Sequence, residues 1–129
     1  GNVIPIAPGD VAPAIVVPGG WDDRSIDFQA ESVAGMVTQN ASFNCAAAQT
    51  LLRPRGWPHR DAFLARLERF MAMSPARRPW YPGAAERYQR LTEGRPGVRR
   101  SAAPGDTLPW TLVPGLDPRA DDELYRTDF

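Results

Sequence analysis

Fourteen prolines and eleven glycines divide this 129-residue chain into short pieces. Proline removes a backbone donor and fixes φ, and glycine carries a large entropic cost in any regular element. Helices and strands are therefore confined to the windows between them. Ala14-Ile15-Val16-Val17 is a compact β-branched run between Pro13 and Pro18-Gly19-Gly20. It reads as a buried strand followed by a turn, with both prolines outside the hydrogen-bonded interior. Trp21-Asp22-Asp23 opens a helix, because an Asp side chain can cap free amides and acidic residues suit the positive end of the dipole. Ile26, Ala30, Val33 and Val37 then recur at helical spacing on one face. Gly35 interrupts that helix and is either a point of close helix–strand approach or a tolerated glycine.

Asn40 to Asn44 breaks the pattern as a loop. Cys45-Ala46-Ala47-Ala48-Gln49 is alanine-rich and is expected to restart a short helix, with Thr50-Leu51-Leu52 a second strand ending at Arg53-Pro54-Arg55-Gly56. Pro58 to Met73 is the clearest helix: Pro58 suits a first turn, and Phe63, Leu67, Phe70 and Met71 line one face. Arg60, Arg66 and Arg69, with Glu68, read as its solvated side. Ser74-Pro75 stops it, and Arg77 to Tyr81 is a linker. Gly83 to Glu93 is a short helix with Tyr88 and Leu91 inward, a short strand lies near Val98, and Leu108 to Val113 is a strand. Asp117 to Tyr125 starts a last helix. No internal repeat is visible. Strands alternating with helices predict an α/β fold, a parallel sheet with helices on both faces and right-handed crossovers. Residues 1–129 read as a single partial domain.

Composition narrows the function classes. Fifteen basic and fifteen acidic residues cancel, so no electrostatic footprint argues for nucleic acid or an anionic membrane. The longest apolar run, Ala12 to Pro18, is far too short to cross a bilayer, and no secretory-signal order opens the chain. A soluble, cytoplasmic protein is expected. Cys45 is the only cysteine, which rules out an internal disulfide and fits a reducing compartment. With His59 the only histidine, a His/Cys zinc site lacks ligands.

Cys45 also sits where a loop is expected to give way to a helix. Amides of a first helical turn favour thiolate and can stabilise an oxyanion formed when that thiolate attacks a carbonyl. A buried structural cysteine fits the same local pattern. His59 reads as a solvent-facing residue, with a Cys–His dyad as the alternative. Trp57, Trp80, Tyr81 and Trp110 read as core and turn packing, with a substrate tunnel as the alternative.

The stretch Glu31-Ser32-Val33-Ala34-Gly35-Met36-Val37-Thr38-Gln39-Asn40-Ala41-Ser42-Phe43-Asn44-Cys45 resembles the cysteine region of the aldehyde dehydrogenase superfamily, where a helix leads into an Asn-x-Gly-Gln-x-Cys loop and a helix then carries the chain to the next strand. Asn40 matches the family Asn and Cys45 the nucleophile, while Ser42 and Phe43 replace Gly-Gln. Pro13-Ala14-Ile15-Val16-Val17 looks like the family's Pro-x-Ile-Val strand, and Leu108-Pro109-Trp110-Thr111-Leu112-Val113 like its Pro-Thr-Val-Leu strand. The resemblance implies a segment of a catalytic domain in which Cys45 attacks a small aldehyde. Asn40 and Asn44 would belong to the active-site loop, and NAD or NADP would be bound mainly by a domain outside this chain. Asp128, just before Phe129, stands near the place of a family Glu that binds the nicotinamide ribose. The family's general-base Glu falls at Ala7, which cannot activate water, so hydrolytic, acylating and inactive forms all stay open. The segment alone is expected to turn over poorly, and the full-length protein to form a homo-oligomer. Two alternatives remain: a catalytically degenerate relative kept as an interaction or structural domain, and an unrelated α/β binding module with a core cysteine.

Overall fold

The computed structural model describes residues 12–17, 19–39, 47–79, 81–117, 119–120 and 123–125. In chain order these form β1 (Ala12–Ile15), α1 (Asp23–Thr38), β2 (Ala48–Leu52), α2 (Arg60–Met73), α3 (Ala84–Thr92), β3 (Arg99–Arg100), β4 (Thr111–Leu112) and a 3-10 turn at Glu123–Tyr125. The fold is mixed, with three α-helices and a parallel pair of strands, β1 and β2. The parallel pairing follows from connectivity: α1 carries the chain back along the sheet before β2 begins, the crossover that parallel strands require.

α1 starts as its sequence dictates. Asp22 is the N-cap, and its carboxylate accepts a hydrogen bond from the Ser25 amide at 2.7 Å. Trp21 and Ile26, just before the cap and one turn into the helix, both join the core, the arrangement of a hydrophobic staple. That hydrogen bond holds the Asp22 carboxyl below its ordinary value of 3.8. A depressed acid stabilises the fold above its unfolded pKa and loses that contribution as pH falls through the native one. The stability gap between the native chain and Asp22→Ala, followed by thermal melts in a pH series, is therefore expected to be full at neutral pH and to narrow below pH 3.8. A gap that stays constant into strong acid would show that the charged cap contributes nothing.

The core is the seam between α1 and α2. Ile26, Ala30 and Ala34 from α1 meet Phe63, Leu67 and Met71 from α2 in one buried cluster with Val16 and Trp57; Val33, Val37, Leu51, Phe70, Trp110 and Leu112 pack around it. Both buried triplets are spaced by four, so each helix presents one narrow stripe. Arg66 reinforces the seam from outside, with Nη2 2.9 Å from Asp23 and Nε 2.6 Å from Asp27 on α1. The second contact is an ion pair rather than an aligned hydrogen bond, since Asp27 Oδ1 has no hydrogen-bond partner. Partly exposed pairs of this kind set orientation more than stability. Arg66 thus departs from the expected solvated face and bridges two helices. Gly35 is exposed with open space where a Cβ would stand, so it is a tolerated glycine and not a point of close approach.

Several expectations shift. β1 begins two residues before Ala14 and includes Pro13, and the register slips between Ala12 and Pro13. Val16 still donates its amide to the Leu52 carbonyl at 2.8 Å, but Val17 is exposed. α2 begins at Arg60, because Pro58 and His59 form the turn that delivers Arg60 N to Trp57 O at 3.1 Å. The expected short helix after Cys45 is corrected: Ala48 and Gln49 belong to β2. Alanine's helix propensity is weak against the pairing of Ala12 with Ala48 and the burial of Ala47 and Ala48.

The strands expected near Val98 and at Leu108 to Val113 do not join the parallel pair but form a separate sheet. β3 and β4 form an antiparallel pair, Arg99 with Leu112 and Arg100 with Thr111. No helix separates them; the chain folds back through a turn at Pro104–Thr107, and the Ser101 amide donates to the Trp110 carbonyl at 2.9 Å. Gly97, ahead of β3, has φ +71 and lies where a Cβ would come 3.2 Å from Pro114, so both backbone and space call for glycine there. The expected last helix, Asp117 to Tyr125, is corrected: the described residues 117 and 119–120 are not helical, and Glu123–Tyr125 form a 3-10 turn, tied to α3 by the Arg90–Glu123 ion pair.

Candidate functional site

The residues singled out from sequence, Cys45, Asn40, Asn44 and Asp128, lie outside the described residues, as do Ala7 and Trp80. What the structure describes is the frame that holds the Asn40–Cys45 segment. On one side α1 ends at Thr38, and Gln39 caps it by donating its amide to Gly35 O. On the other side the chain is fixed again at Ala47 and Ala48, both buried, where β2 begins three residues after Cys45. The segment thus spans the C-terminus of α1 and the amino end of β2. Among the described residues, the element that follows Cys45 is strand β2 and not the expected helix.

The first stem is braced by hydroxyls. Thr38 Oγ1 donates to Ala34 O at 2.9 Å and accepts from Ser74 Oγ at 3.2 Å. Ser74 is the C-cap of α2, and its carbonyl accepts from Trp110 Nε1 at 3.2 Å. The two helix C-termini are thus joined through their hydroxyls, and the carbonyl of the α2 C-cap gains a side-chain donor. Sequence reasoning treated Ser74 only as a helix stop and Thr38 only as part of the loop's approach. Their pairing across 36 residues has no local signal.

The carboxyl ends of β1 and β2 hold the aromatic residues. Trp21 and Trp57 meet edge to face at 5.2 Å between ring centroids, Phe63 lies 5.7 Å from Trp57, and the His59 ring lies 5.9 Å from Trp57. Trp21 Nε1 donates to Val17 O at 3.0 Å. These rings fill the space between the helix starts. Trp57 is core, Trp110 packs against the core, and Tyr81 is exposed. His59, expected to face solvent, is instead half-buried against Trp57 at the α2 N-cap; the dyad alternative falls on Cys45, outside the described residues.

Neither strand-to-helix turn fits a dinucleotide. In the first, Gly19-Gly20 leads to α1, but Asp22 already places a carboxylate on the amide a phosphate would use. The second, before α2, has Asp61 in the first helical turn, paired with Arg60 at 2.7 Å. The described residues do not fit NAD or NADP. Among them, no group of three His, Cys, Asp or Glu side chains is placed to hold a metal, and no helix is long and apolar enough to cross a membrane. No known protein family, curated protein or solved structure matches this chain.

Proposed function

We propose that this chain is the nucleophile-bearing segment of an aldehyde-dehydrogenase-type oxidoreductase, with Cys45 the nucleophile and Asn40 and Asn44 in its loop. One observation supports the reading above the others. Strand β1, helix α1, the Cys45-bearing segment and strand β2 follow one another with β1 and β2 parallel, which is the order the resemblance implies as far as the cysteine; the helix it implies between the cysteine and the next strand is replaced by β2 itself. In the reaction, the thiolate sulfur adds to the carbonyl carbon of a small aldehyde, and the carbonyl oxygen takes the negative charge, which backbone amides stabilise. Conversion of that adduct to a thioester needs a hydride acceptor. The resemblance implies NAD or NADP, for which the described residues offer no seat. Release to water or to an acceptor thiol then frees the cysteine. Ala7 in place of a general base favours a thiol acceptor.

The same reading has the β1–β2 pair as part of a larger parallel sheet with helices on both faces, in a cytoplasmic homo-oligomer. In its support, Ile15 is 66%, Val17 68% and Leu52 38% exposed, although parallel sheets normally have both faces covered. Those same residues favour one second reading, an interaction or structural domain that has lost catalysis and docks through this apolar strip.

Iodoacetamide alkylation of Cys45, followed by mass across pH, separates the two. A rate midpoint well below ~8.5, the reference thiol pKa, is expected for the nucleophile. An inert thiol, or an unshifted midpoint, would leave the docking reading.

A further inference from the structure

No further inference is drawn: the strongest candidate, the exposed apolar strip of Ile15, Val17 and Leu52 on the β1–β2 pair, carries nothing because nothing in the structure shows what covers it.

Discussion

Phe63→Ala is expected to cost about 3–5 kcal/mol of folding stability, the largest loss from a single side chain in this protein. Phe63 is 1% exposed at the centre of the α1–α2 seam and touches the Trp21–Trp57 pair at its upper end. Truncation removes its transfer free energy and opens a cavity that the rigid indoles cannot collapse into, so both terms count. A small domain has only about 5–15 kcal/mol in total. The urea midpoint should fall steeply while the slope of the transition stays the same. Phe28→Ala is the control: Phe28 is 67% exposed on α1, and its loss should change stability by less than about 0.5 kcal/mol. Equal losses from the two substitutions would mean that the seam is not the core of this chain.

The seam was the part most legible in the amino-acid sequence. Ile26 and Ala30 in α1, and Phe63, Leu67 and Met71 in α2, stand at helical spacing, and burial of a stripe is dictated by that spacing. The Asp22 cap was legible for the same reason, since the donor it satisfies lies three residues away. Errors came where tertiary pairing outweighs local preference. Ala48 and Gln49 carry good helix propensity, yet β1 stands alongside to be paired, and a ladder with burial outweighs a few tenths of a kcal/mol per residue. β3 and β4 were placed near the right residues, but their antiparallel sense depends on a turn at Pro104–Thr107 that no periodicity reveals. Of the site, sequence could name Cys45 and its neighbours. It could not show that Ser74, thirty-five residues downstream of Gln39, braces the stem of that loop, because a hydroxyl pair between distant helix ends leaves no pattern in the chain.

On the proposed nucleophile reading, Cys45→Ser should abolish the covalent chemistry while changing a single atom. On that reading, the native protein incubated with an aldehyde and NAD is expected to accumulate an acyl adduct on the peptide containing Cys45. The serine form should show none, with turnover reduced at least about 10³-fold. The reason is intrinsic: a thiol ionises near ~8.5 and is a strong nucleophile, whereas an alcohol without an adjacent base stays protonated. The fate of the native adduct then bears on Ala7. With no carboxylate at that place to activate water, the thioester should persist in buffer and discharge when a thiol such as coenzyme A is added. Rapid loss in buffer alone would mean that another residue activates water. An adduct on any other residue, or undiminished turnover in Cys45→Ser, would remove Cys45 from the chemistry and leave the exposed strip of Ile15, Val17 and Leu52 as the feature to explain.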